Sequence, residues 1–276
     1  MRYNEIVITS RHNPVITETS ALLKKRERDL SGRFLIDGAK LTYEYIRGVG
    51  APVHLFVVES EKEKYHEALV ALEEETGLSL CATLVSESAF MKLTEQKAPD
   101  GIIAVGESHR LSYDRVAFGG SLDCSGERVI ALSSLRDTGN VGTVIRTALA
   151  FGFDRVLLSS DCADVLSPKT LRATMGAVFS VKIGVCEDLS EVLCSLKNAG
   201  RRVYSAELRE HSVPLDSIEL SEYDIFVVGN EGHGIDVSVS AVCSASVYIP
   251  ISEHSESLNA AVAASVLMWH QRTMTF

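Results

Sequence analysis

Apolar positions along this chain fall into short runs and helical stripes that alternate from end to end. Thr19–Asp29 carries a helical pattern closing near Gly32, Arg33–Ile36 is a short apolar strand, and Lys40–Arg47 is a helix ended by Gly48. His54–Val58 reads as a buried strand, Lys62–Glu75 as a charged helix stopped at Gly77, and Gly101–Val105 as the last apolar strand of this part. Residues 107–127 then lose all periodicity and contain the pair Gly119-Gly120, the pattern of a linker or crossover.

The rest is more regular. Val129–Leu132 is a strand, and Asn140 stands where it can N-cap a helix whose apolar positions Val141, Val144, Ile145, Ala148 and Leu149 share one face. Gly152 ends that helix, Val156–Ser159 is the next strand, and Ser167-Pro168 is a cap followed by a helix-starting proline. Val178–Val185 contains a strand, and Asp188 with Glu191 opens a helix closed by Gly200. Val203–Ala206, Ile225–Val228 and Val247–Ile249 are strands, and Ser257–His270 is a final helix. Such β-α alternation predicts an α/β protein built on a mainly parallel sheet with helices on both faces. The expected division is a smaller N-terminal α/β domain at 1–106, a linker at 107–127 and a larger domain at 128–276.

Composition narrows this little: 46% hydrophobic and 23% charged residues exclude extended disorder. Six scattered cysteines without a CxxC pair argue against a zinc framework or a disulfide scaffold, and neither a signal peptide nor a membrane span is readable. A reducing cytoplasm is the expected location. The net charge of −10 speaks against coating nucleic acid by bulk charge, but it is unevenly spread. Residues 1–50 hold 9 basic and 6 acidic residues, whereas 51–127 hold 6 and 14. Lys24, Lys25, Arg26 and Arg28, followed by Arg33, form the one dense basic run, which taken alone is a solvated helix face.

Three strand exits are unusually polar and rich in glycine or serine, and ligands of open parallel sheets bind at the carboxyl ends of strands. They are Leu135-Arg136-Asp137-Thr138-Gly139-Asn140-Val141-Gly142, leading to Arg146; Gly229-Asn230-Glu231-Gly232-His233-Gly234; and Ile249-Pro250-Ile251, followed by Ser257-Leu258-Asn259. Each has an ordinary structural reading by itself: a capped turn, a left-handed turn, a helix cap. Arg146 alone is a surface charge. The glycines of the second exit run G-x-x-G-x-G and do not match the dinucleotide fingerprint. Neither HExxH nor GxSxG occurs.

In combination, the order and spacing of these exits resemble the SpoU (TrmH) family of RNA ribose 2′-O-methyltransferases, within the SPOUT superfamily. The first family motif stands here as Asp137-Thr138-Gly139-Asn140-Val141-Gly142 with Arg146-Thr147, Thr138 replacing the usual proline. The second is Gly229 to Gly234, the third Ile249-Pro250-Ile251 with Ser257 to Ala263, and Arg172-Ala173-Thr174-Met175-Gly176-Ala177 is similar to a further family segment. Residues 1–106 resemble the substrate-binding domain often fused ahead of it, with Asp37 in place of a common glutamate.

The resemblance implies a deep trefoil knot and binding of S-adenosyl-L-methionine through positions matching Gly229, Ile249 and Leu258. It also implies a catalytic set of Arg146, Asn140, Glu231, Ser257 and Asn259. Arg146 would orient the ribose hydroxyl or clamp a phosphate, since a guanidinium is a poor base. The substrate would be structured RNA, rRNA before tRNA, with Lys24, Lys25, Arg26, Arg28 and Arg33 as phosphate contacts. A homodimer whose partner contributes to the site is expected, with no metal and no membrane. The rival readings are a non-catalytic RNA-binding or assembly protein that keeps the fold, and a nucleotide-linked oxidoreductase, which the glycine spacing disfavours.

Overall fold

A computed structural model describes residues 1–274 apart from positions 5, 231, 253, 255 and 256. The chain divides into two compact units, residues 1–111 with 164–179, and residues 112–163 with 180–276.

The first unit is built on β1 (Arg2–Tyr3), β2 (Arg33–Asp37), β3 (His54–Val58), β4 (Cys81–Val85) and β5 (Ile102–Glu107). Its helices are α1 (Pro14–Ala21), α2 (Lys25–Ser31), α3 (Ala39–Gly48), α4 (Lys62–Thr76) and the single turn α5 (Glu87–Phe90). The sheet runs β1-β4-β3-β5-β2, with β5 antiparallel to both its neighbours and the other pairs parallel. Strand residues alternate between its faces. Leu35, Phe56, Val58, Ile103 and Val105 pack with Ile16 of α1 and with Ala89 and Phe90 of α5.

The helix expected over Thr19–Asp29 is two helices. Between them, the carbonyls of Leu22 and Leu23 accept hydrogen bonds from the Arg28 guanidinium at 2.7 and 2.8 Å. That side chain is buried and also pairs with Asp164. The later segment carrying α7 (Pro168–Thr174) is thus part of this unit. A second pair joins Arg172 Nη1 to Asp37 Oδ2 at 3.3 Å, and Thr94 donates to the same oxygen at 2.6 Å.

The second unit is α/β, with an eight-stranded sheet in which every pairing is parallel. Its strands are β6 (Tyr113–Val116), β7 (Val129–Leu132), β8 (Arg155–Ser159), β9 (Lys182–Cys186), β10 (Val203–Ala206), β11 (Val213–Pro214), β12 (Ile225–Val228) and β13 (Ala245–Tyr248). They lie in the order β11-β13-β10-β12-β7-β8-β9-β6. The helices are α6 (Thr138–Phe151), α8 (Leu189–Asn198), α9 (Val237–Val242) and α10 (Ala260–Met274). Val129, Ala131, Leu157, Ile225 and Val227 face the apolar sides of α8 and α9. The alternate positions, Ile130, Leu132, Phe226 and Val228, look to the opposite face, where α6 and α10 pack together.

Residues 107–127 are more than a connection. Within them β6 forms an edge strand, Cys124 is buried in the core, and Asp114 and Glu127 both bind the buried Arg155 guanidinium. Lys182 reaches Glu127 at 2.6 Å. Burial alone would raise the Glu127 carboxyl, but the hydrogen bonds from Arg155 and Lys182 outweigh it and hold the group below its ordinary value.

Candidate active site

The three polar exits lie at the carboxyl ends of the central strands and are tied to one another. After β7, Ser133 Oγ accepts the Asp236 N–H at 3.2 Å, and the Ser134 carbonyl accepts Asn230 Nδ2 at 3.2 Å. Asn230 organises its own loop, since its Oδ1 accepts from the N–H groups of Gly232 and His233 and its backbone pairs with Gly234. Ser133 did not stand out in the sequence, and Asn230 did so only as part of the second exit, where an Asn two residues before a glycine is the signal for such a loop.

Gly229 is required by this loop. A Cβ there would lie 2.4 Å from the Gly234 carbonyl carbon and oxygen and 2.6 Å from Ile235 N. The close approach is to the loop's own backbone, and Gly229 does not line the neighbouring cleft. Glu231 lies outside the described residues.

The N-cap of α6 is Asp137, whose side chain accepts the Asn140 N–H at 2.7 Å, so Asn140 sits in the first turn and not at the cap. Aspartate and asparagine cap about equally well, so Asp137 takes the place expected of Asn140. The Asn140 side chain instead receives Nδ2 of Asn259 at 3.0 Å. Asn259 Oδ1 in turn accepts from Ala261 and Val262, capping α10 three residues later than the pattern suggested. These two asparagines therefore lock the starts of α6 and α10 together. Arg146 stands exposed on α6.

Beside this junction is a cleft of about 530 Å³ between the ends of β10 and β13 and the segment before α10. Ala206, Leu208, Val247, Ile249, Ile251 and Leu258 give it an apolar lining, and Glu207, Tyr248, Ser252 and Ser257 supply polar groups. Its volume lies within the usual range for small-molecule sites, about 300–1,000 Å³. Ile249, Leu258 and Ser257 are thus brought to one cavity, while Asn140, Asn259 and Arg146 are not among its lining residues.

In the first unit, Lys24, Lys25 and Arg26 are exposed, but Arg28 is buried and engaged. Arg28 is a structural residue here, because its donors are spent on two carbonyls and Asp164. Arg33 is half-exposed, and Glu107 lies within 4.0 Å of Arg33, Arg110 and His109. Arg110 adds a further guanidinium to this surface, and its place in a sequence stretch without periodicity hid it.

Burial raises the Cys186 thiol to about 12 and the Cys243 thiol to about 11, which removes both as thiolate nucleophiles. Among the described residues no group of three or more His, Cys, Asp or Glu side chains could hold a metal ion. No helix among them is long and apolar enough to cross a membrane.

A cavity at the carboxyl ends of a parallel sheet, walled by two turns and a helix start, defines an α/β protein of small-molecule-binding type. The chain belongs to the SpoU rRNA methylase family, whose model matches residues 127–269, and an MRM3-like substrate binding domain matches residues 13–104. It is 32% identical over 265 residues to the 23S rRNA (guanosine(2553)-2′-O)-methyltransferase RlmP of Bacillus subtilis, covering 96% of this chain and 98% of that one. A 23S rRNA (uridine(2479)-2′-O)-methyltransferase of Streptomyces viridochromogenes is 26% identical over 95% of this chain and 90% of its own length. Among solved structures, an AdoMet-bound rRNA methyltransferase from Sinorhizobium meliloti matches with a TM-score of 0.80, 27% identity and 98% coverage of both chains.

Proposed function

We propose that this protein transfers a methyl group from S-adenosylmethionine to a ribose 2′-hydroxyl of ribosomal RNA, with 23S rRNA as the substrate. The carrying observation is the end-to-end likeness to a ribose methyltransferase of 23S rRNA. The cleft beside Ile249 and Leu258 is the complementary one.

The residues present fit the cofactor. The cleft offers apolar walls for an adenine, and Glu207, Ser252 and Ser257 offer polar partners. When bound, S-adenosylmethionine supplies an electrophilic methyl group on a sulfonium. Gly229 keeps the wall of the second exit compact, and Ile249 and Leu258 exclude water. Asn140 and Asn259 hold the two helix starts that frame the acceptor. Arg146 aligns the 2′-hydroxyl or its phosphate, and positioning of this kind supplies much of the acceleration. Glu231 remains in this catalytic set on the motif alone.

We further propose a homodimer and a deep trefoil knot, both supported by family membership. On α10, Val262 and Trp269 are 49% and 53% exposed and line a shallow depression with Asn140, Thr143 and Asn259. A second copy seated there would cover this apolar strip. Because Arg146 does not line the cleft of its own chain, the partner's Arg146 would complete the site.

The exposed Lys24, Lys25 and Arg26, with Arg33, are the proposed RNA phosphate contacts of the first unit. Lys25 and Arg26 lie in the first turn of α2, where the helix dipole disfavours cations, so helix stability does not account for them. A cytoplasmic location goes with this substrate.

The direct test maps 2′-O-methyl groups in total RNA from cells with and without the gene. Loss of one 23S site without it is the expected result, and loss confined to tRNA would overturn the substrate. The rival non-catalytic reading requires that the purified protein fail to bind S-adenosylmethionine in calorimetry.

A further inference from the structure

Ser134, directly after the Ser133 that meets Asp236, has φ +55°. A left-handed serine is uncommon, and such outliers gather where the surrounding structure demands them. Two hydrogen bonds hold it: its N–H donates to Ser159 Oγ at 2.8 Å, and its carbonyl accepts from Asn230 Nδ2 at 3.2 Å. The turn sends Leu135 into the core, fully buried, and leaves Arg136 outside, immediately before the Asp137 cap of α6.

Arg136 is 69% exposed, and among the described residues it pairs with Asp161, Nη2 to Oδ2 at 3.4 Å. Asp161 is itself anchored: its Oδ1 accepts the Ser159 hydroxyl at 2.7 Å. Burial pushes the Asp161 carboxyl up, but the polar groups beside it, Ser159 foremost, prevail and keep it below its ordinary value. A guanidinium has five N–H donors. Here one meets a carboxylate that the Ser159 hydroxyl holds, so the side chain is oriented while it stays largely exposed. It stands one residue from the helix cap, at the convergence of the exits after β7, β8 and β12, in a protein of net charge −10. The chemistry it suits is bidentate recognition of a phosphodiester.

We propose that Arg136 binds an RNA phosphate next to the ribose that is methylated, and that Asp161 holds the guanidinium in place until the RNA arrives. This rests on the methyltransferase reading above. No bond is made or broken at Arg136, whose contribution is to substrate binding.

The test compares wild type with Arg136→Ala, Arg136→Lys and Asp161→Asn, using 23S rRNA as substrate. The expected result for Arg136→Ala is a KM for RNA raised about tenfold, kcat within about twofold, and a salt slope of RNA binding shallower by about one. Its affinity for S-adenosylmethionine in calorimetry stays unchanged. Lysine restores the salt slope but only part of the KM, because a point charge lacks the fork. Asp161→Asn raises KM with the slope unchanged, since the cation remains. An unaltered KM and slope in Arg136→Ala would overturn the proposal, and tighter RNA binding by Asp161→Asn would overturn the holding role. Wild-type protein that binds RNA but never methylates it would count against the methyltransferase reading instead. The salt slope would then still decide whether Arg136 meets a phosphate.

Discussion

Gly229 and Arg146 depend on their surroundings in opposite ways. At Gly229 a methyl group has nowhere to go, since backbone atoms of the facing turn lie 2.4 Å from where it would stand. Gly229→Ala is expected to cost about 3 kcal/mol of stability, from overpacking against rigid backbone. It should also weaken S-adenosylmethionine binding more than tenfold in calorimetry, because the loop beside the cleft must shift. Arg146 is exposed and touches no core, so Arg146→Ala should fold and bind cofactor normally. Its kcat should nevertheless fall by about 100-fold or more, the scale of losing one transition-state donor. Full activity in that variant would remove Arg146 from the mechanism. The motif residues were visible in the sequence as a set, but their partners were not. That Asn259 spends its amide on capping α10 and on Asn140 is a tertiary fact, and nothing in the local pattern carries it.

Strands and helices were legible wherever apolar period and capping residues agreed. Val129–Leu132, Val203–Ala206 and Ile225–Val228 are strands as read, and Gly152 ends α6. The pattern failed where a distant side chain intervened. Arg28 breaks the first helical stretch by taking the Leu22 and Leu23 carbonyls. β6 escaped notice because an edge strand of four residues, YDRV, has little apolar signal. Beyond its backbone pairing with β9 and the buried Val116, charge anchors this edge. Asp114 and Glu127 reach the buried Arg155, and Glu127 also meets Lys182. The Glu127 carboxyl is lowered in the fold, so it contributes stability above its ordinary value of 4.5 and loses it as pH falls through the lower folded value. Urea melts of wild type should therefore weaken progressively below about pH 4.5. Glu127→Gln should be less stable at pH 7, by about 3 kcal/mol, and should show a flatter acid limb. An equally steep acid limb in the variant would assign the effect to other carboxylates.

For the whole molecule, the proposed RNA surface and dimer face make separable demands. Replacing Lys24, Lys25 and Arg26 by glutamine should lower RNA affinity and flatten its salt dependence, without moving the melting temperature. Unchanged affinity would return that run to a solvated helix face. Trp269→Asp should yield monomers in analytical ultracentrifugation and lose methyl transfer while retaining the fold. A dimer that persists in that variant would place the interface elsewhere. Neither Lys24 nor Trp269 announces a role by itself; each acquires one from the family and from its exposure.

The segment 164–179 bears on how such proteins are recombined. It comes from the middle of the family motif region, yet its Asp164 and Arg172 answer two charges of the first unit, Arg28 and Asp37, that are themselves almost wholly buried. A gene cut after residue 111 would express a first unit with both charges unanswered, and it should be insoluble or molten. A chimera that exchanges only the first 111 residues parts Asp164 and Arg172 from the Arg28 and Asp37 they pair with. The heritable module is discontinuous, and grafting a new RNA preference onto this enzyme requires moving the strap along with the domain it clasps.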